Sequence, residues 1–127
     1  MIDPFRPGIL EKLKLGPKDL WAINPKLIFL RVSGYGQSGP LSLRPGHDLN
    51  YLSYSGILPL INLNSSHLEF PTNFLADFVS SSLGVTATLA ALRITKETGI
   101  GSVVDCSLAE GCRYLTQVAS KELPKYK

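Results

Sequence analysis

Leu27-Ile28-Phe29-Leu30-Arg31-Val32-Ser33 is a near-continuous apolar run of strand length, and it empties into a glycine-rich loop, Gly34-Tyr35-Gly36-Gln37-Ser38-Gly39. Such a run fits a strand covered on both faces, as inside a parallel sheet, better than the strict alternation of a half-exposed one. A second run, Ser102-Val103-Val104-Asp105-Cys106, follows the turn Gly99-Ile100-Gly101. Between the two, from Asn73, the spacing of Phe74, Leu75, Phe78, Leu83, Val85, Leu89 and Leu92 predicts one long, mostly apolar helix ending near Thr98-Gly99. The expected fold class is α/β, a partial parallel sheet flanked by helices.

Outward from these strands the elements are shorter. Ile9, Leu10, Leu13 and Leu15 fit an amphipathic helix that starts on Pro7 and stops at Gly16-Pro17. A second helix over 17–23 ends at Asn24-Pro25, where the proline turns the preceding residue away from helical geometry. A short helix is expected over 48–56, then an irregular segment through Ser65-Ser66 with His67 as a loop histidine, and a last helix from Leu108 to about Ser120. Residues 1–120 are expected to form one partial domain and 121–127 a polar tail. Small residues in the long helix (Ser80, Ser81, Ser82, Gly84, Ala87, Ala90, Ala91) suit close packing, or the approach of a ligand. The loop 34–39 matches GxGxxG after a strand. A dinucleotide site would need a helix to open there, and the chain instead continues as Pro40-Leu41-Ser42-Leu43-Arg44-Pro45, which argues against one.

The chain has 127 residues and a net charge of +3, enough for one domain and too mild an excess to call for nucleic acid, although it suits a phosphorylated anion. Seven of its 13 basic residues precede Leu49, giving a basic front and an apolar centre. Cys106 and Cys112 have no CxxC spacing and no clustered histidines, so buried reduced thiols are expected, no metal site, and an intracellular protein. Met1-Ile2-Asp3-Pro4-Phe5-Arg6 breaks any apolar leader. The uncharged run 78–92 is too short and too rich in Ser and Thr for a membrane span, so no insertion is expected.

Two polar residues then stand out: His47 in Gly46-His47-Asp48-Leu49-Asn50-Tyr51, and Asp77 in Leu75-Ala76-Asp77-Phe78. No Lys or Arg lies between Arg44 and Arg93, so Asp77 lacks a local cation. A histidine and a carboxylate in one pocket supply two acid/base groups, one to remove a proton and one to return it. On the residues alone, His47 equally fits a surface or core histidine, and Asp77 the N-cap of the helix that follows.

Taken in order, Asp3-Pro4-Phe5-Arg6-Pro7-Gly8, Asn24-Pro25-Lys26-Leu27-Ile28, the 33–39 loop, Gly46-His47-Asp48-Leu49-Asn50-Tyr51, Leu75-Ala76-Asp77-Phe78 and Thr98-Gly99-Ile100-Gly101-Ser102-Val103-Val104-Asp105 resemble the alpha-methylacyl-CoA racemase family, within the class III CoA-transferase superfamily. The resemblance runs from Asp3 to about Tyr114. It implies the central piece of that superfamily's large domain, lacking a nucleotide-binding segment in front and a smaller domain behind. It also implies that His47 and Asp77 are the two bases that invert a 2-methylacyl-CoA through an enolate, with backbone N–H groups near Asp77 as donors to the enolate oxygen. By the same resemblance the segment Gly46, His47, Asp48, Leu49, Asn50 and Tyr51 touches the thioester end of CoA, and Arg6 faces its phosphates; an exposed, solvated Arg6 is the plainer alternative. CoA then enters as part of the substrate, with no separate cofactor. The family works as an intertwined homodimer in fatty acid metabolism, in mitochondria or peroxisomes. CoA-transferring relatives keep the aspartate as a nucleophile, typically lack the histidine, and usually carry Gln-Ala where this chain has Tyr51-Leu52. Racemase is therefore the expectation, with a transferase using Asp77, or a non-catalytic truncated remnant, as alternatives. For the racemase, His47 is expected just before a short helix and Asp77 at the start of the long one, converging on one cleft at the same edge of the sheet.

Overall fold

Phe29–Ser33 forms the central strand, β2, of a three-stranded parallel sheet in the computed structural model, which describes residues 1–63 and 65–119. It pairs on one side with β1 (Ile2–Asp3) and on the other with β3 (Val103–Ser107), Leu30 standing opposite Ile2 and Val104. The helices are α1 (Ile9–Lys12), α2 (Pro17–Trp21), α3 (Asp48–Ser55), α4 (Ile57–Ile61), α5 (Leu75–Thr98) and α6 (Leu108–Ala119). The expected Ser120 end of α6 and the tail 121–127 lie outside the described residues.

Alternation along β2 sends Leu30 and Val32 to one face and Phe29, Arg31 and Ser33 to the other. On the first face α5 comes very close: a Cβ on Gly84 would sit 3.2 Å from Cys106 Sγ and 3.3 Å from Leu30 Cδ1. Of the small residues of α5, Ser80, Gly84 and Ala91 are buried and used for packing, while Ser81, Ser82, Ala87 and Ala90 are exposed; in α6 a Cβ on Gly111 would meet Ser80 Oγ at 2.2 Å. On the second face Trp21 packs edge-on against fully buried Phe29, and its Nε1–H donates to Leu27 O at 2.7 Å. Gly101 permits the entry to β3, because a Cβ there would lie 2.1 Å from Leu27 O. The two cysteines are free and buried. Burial, with the negative charges of Asp48 and Asp77 adding to it, pushes the Cys112 thiol up to about 11, so it stays protonated.

Several elements depart from the sequence expectation. β1 is only two residues long, too short to show as a pattern, and forms because Leu30 N–H donates to Met1 O at 2.9 Å. α1 is a single turn rather than a helix over 7–15: Gly8 (φ 83°) precedes it and Lys14 (φ 56°) breaks it. α4 forms where an irregular segment is expected. Gly56, left-handed at φ 84°, ends α3 and starts α4, which buries Ile57 and Leu58 beside Leu52 and Cys112. α5 starts at Leu75 and contains Asp77, Arg93, Lys96 and Glu97. It is therefore longer than the uncharged run, and by length and composition alone it would suffice to cross a membrane, a test that core helices also pass.

The outer side of α5 carries exposed apolar residues, with Phe74 and Phe78 each 67 % exposed and Leu89 61 %. β1 and β3 are edge strands among the described residues. Open edges next to bare apolar surface are the condition expected of part of a larger sheet.

Candidate active site

A cavity of about 270 Å³ opens beyond the carboxyl ends of the strands, floored by Ser33, Gly34 and Leu108. That is the usual location of ligand crevices in open α/β sheets. Its walls carry three basic side chains, Arg6, Arg44 and His47. α6 begins at Leu108 on its floor and α3 just after His47, so two helix N-termini add to a field that favours an anion.

His47 is the N-cap residue of α3, in extended conformation, and its backbone N–H donates to Asn50 Oδ1 at 2.9 Å. The imidazole lies on the cavity wall. Asp77 is the third residue of α5, not its cap: Phe74 holds that position and makes no side-chain capping bond. The cap comes from another helix. Asp48 Oδ1 accepts the Ala76 N–H at 2.7 Å, tying the start of α3 to the start of α5 across 28 positions of sequence. His47 is bonded to Asp48 and Asp77 to Ala76, so this one hydrogen bond brings the two candidate bases to neighbouring helix starts.

Tyr51 completes the arrangement. Its hydroxyl donates to Gly46 O at 2.6 Å, and its ring passes so close to two glycines that a Cβ on Gly34 or Gly46 would meet it at 2.7 or 2.8 Å. Tyr35 packs edge-on against it at 5.3 Å. Burial pushes the Tyr51 phenol up; the charges of Tyr35 and Asp77 act in the same direction and Arg6 opposes them, so all three lie within electrostatic reach of one hydroxyl. The phenol stays protonated and keeps donating to Gly46 O.

Of the residues singled out in the sequence, Arg6, Gly46, His47 and Tyr51 line the cavity. Asp48 and Asn50 sit beside it and serve as the α5 cap and the His47 backbone clamp. Leu49 is 40 % exposed and Asp77 also faces solvent; neither is among the lining residues. Of the amides near Asp77 expected to serve an enolate oxygen, Leu75 N–H is taken by Asn73 O, Ala76 N–H by Asp48 and Phe78 N–H by Phe74 O; the Asp77 N–H is not among those taken. Arg44 is the basic lining residue not singled out in the sequence; its signal was its place as the last cation before the cation-free centre. As expected, no helix follows the 34–39 loop until Asp48, and His67 lies in a loop, exposed, beside Ser66 Oγ at 2.9 Å.

Residues 1–123 match CoA-transferase family III, and the chain belongs to that family. It is 44 % identical over 125 residues to the alpha-methylacyl-CoA racemase of Mus musculus, covering 98 % of this chain and 33 % of that protein. It is 40 % identical over 111 residues to the beta subunit of a succinyl-CoA–L-malate CoA-transferase of Chloroflexus aurantiacus, covering 87 % of this chain and 27 % of that one. Among solved structures, a CAIB/BAIF family protein from Brucella suis superimposes with a TM-score of 0.88 at 28 % identity, over 95 % of this chain and 32 % of its own. The chain thus spans about a third of the length of the curated relatives it matches.

Proposed function

We propose that the chain is the central, catalytic part of a racemase that interconverts the R and S forms of 2-methylacyl-CoA thioesters. The observation that supports this reading is the Asp48–Ala76 hydrogen bond of 2.7 Å, which ties the helix start that follows His47, a residue of the cavity wall, to the helix start that carries Asp77. A thioester carbonyl acidifies its α-carbon. One group takes the α-proton as the C–H electron pair moves into the carbonyl to give an enolate, and the other delivers a proton to the opposite face. His47 and Asp77 take these roles in opposite protonation states, while Arg6 and Arg44 meet the anionic end of CoA. CoA is part of the substrate and no separate cofactor is invoked. A homodimer and a mitochondrial or peroxisomal setting go with this reading.

The transferase reading has support of its own in the Chloroflexus relative and in the exposure of Asp77, which suits a nucleophile. His47 on the cavity wall favours proton transfer instead. The decisive comparison uses a full-length protein in which this chain replaces the matching third of the mouse racemase. Given a 2-methylacyl-CoA in deuterated water, that protein should exchange the α-hydrogen and lose stereochemical purity. Transfer of CoA between two carboxylic acids without α exchange would establish the transferase, and neither reaction would leave a non-catalytic remnant.

A further inference from the structure

Behind the cavity lies a charged group that its lining residues do not include. Arg31, the middle residue of β2, projects from the face opposite α5 and is only 8 % exposed. Its guanidinium reaches three separate elements: Nη1–H donates to Gln37 Oε1 at 3.0 Å, Nη2–H to Glu11 Oε1 at 2.5 Å, and Nε lies 3.3 Å from Asp3 Oδ2, an ion-pair contact without hydrogen-bond geometry. Beside this guanidinium the Glu11 carboxyl is held below its usual value of 4.5.

Two of the three arms continue to the cavity walls. Asp3, 3 % exposed, uses its other oxygen to accept the Phe5 N–H at 3.0 Å, which fixes the turn that carries Phe5 and Arg6 onto the wall. Gln37 donates from Nε2 to Ser33 Oγ at 3.4 Å and from its backbone to Asp105 Oδ2 at 3.0 Å, which holds the loop whose first residue, Gly34, floors the cavity. A buried charge with paired carboxylates is weak support for stability, since well-packed apolar replacements are often neutral or better. What the planar fork does provide is fixed geometry among several acceptors, which a lysine, a single point charge, does not reproduce.

We propose that Arg31 is a positioning residue for the cavity, holding the 3–6 turn and the 34–39 loop at one spacing and thereby setting Arg6 against Gly34. The consequence for catalysis rests on the acyl-CoA reading of that cavity. In the full-length graft, Arg31→Lys should raise KM for a 2-methylacyl-CoA about tenfold with kcat within about twofold, as when uniform binding is lost. It should also speed amide hydrogen exchange in the 3–6 and 34–39 peptides while α5 keeps its protection. Gln37→Leu leaves both ion pairs in place and should speed exchange in the 34–39 peptide only, with a smaller rise in KM. A fall in kcat at constant KM, loss of protection throughout the protein, or unchanged exchange in both peptides would each overturn the proposal. A parent graft with no α-exchange would count against the acyl-CoA reading instead, and the exchange data would still decide whether Arg31 holds the two walls.

Discussion

Replacing His47 by Ala in the full-length graft lowers the rate of racemisation by about a hundred-fold to ten-thousand-fold, the range in which a positioned acid/base group contributes, while the melting temperature stays near that of the parent. The two halves of this expectation have different origins. His47 holds the start of α3 through its backbone N–H, which Asn50 Oδ1 accepts and which alanine retains. The exposed imidazole fills no core. Truncation therefore removes the proposed proton-transfer group and leaves the Asp48 cap on α5 intact. A comparable loss of rate with a collapsed melting transition would assign His47 to the fold instead of the chemistry. Rates followed by optical rotation, beside thermal unfolding of the same samples, separate these outcomes.

The 127-residue chain on its own is expected neither to bind CoA well nor to racemise. It spans about a third of the length of its curated relatives, and the cavity it does contain, at about 270 Å³, is small for a CoA thioester. Without the contacts that the remaining two thirds would supply, the reacting carbon has no anchor between His47 and Asp77, and a misplacement of about 1 Å costs on the order of a hundred-fold in rate. The exposed face of α5, with Phe74, Phe78 and Leu89 open to solvent, further predicts self-association of the isolated chain. Calorimetric titration with an acyl-CoA, with the folded state confirmed by circular dichroism and its size by sedimentation, tests this. Micromolar binding together with α-exchange would make the chain a self-sufficient minimal enzyme.

The sheet was legible in the sequence because its signals are local. Phe29–Ser33 and Val103–Ser107 each lie within a residue or two of the apolar runs that announce them, and Gly99, left-handed at φ 74°, closes α5 where the helical spacing stops. α4 was not legible, since Ile57-Leu58-Pro59-Leu60-Ile61 is apolar all round and carries a proline; its burying partners are α3 and α6, which only the tertiary fold supplies. The site divides along the same line. His47 before a short helix and Asp77 at the head of the long one follow from the local words. The cross-helix cap from Asp48 to Ala76 and the three-armed Arg31 do not, because each joins groups far apart in sequence through the tertiary fold. Asp77 reads as a cap by residue type, yet it stands two positions inside the helix because a carboxylate from α3 already occupies the capping role.

The central claim is that His47 and Asp77 act on opposite faces of one α-carbon, and isotope exchange from each pure enantiomer tests it most directly. His47→Ala and Asp77→Ala variants of the full-length graft are incubated separately with the R and the S thioester in deuterated water, and α-deuterium is followed by NMR. If each residue serves one face, each variant loses racemisation but still exchanges the α-hydrogen of the one enantiomer whose base it retains, and the two variants retain opposite enantiomers. Exchange of both enantiomers by either variant, or loss of exchange in only one variant with the other unaffected, would contradict the two-base account.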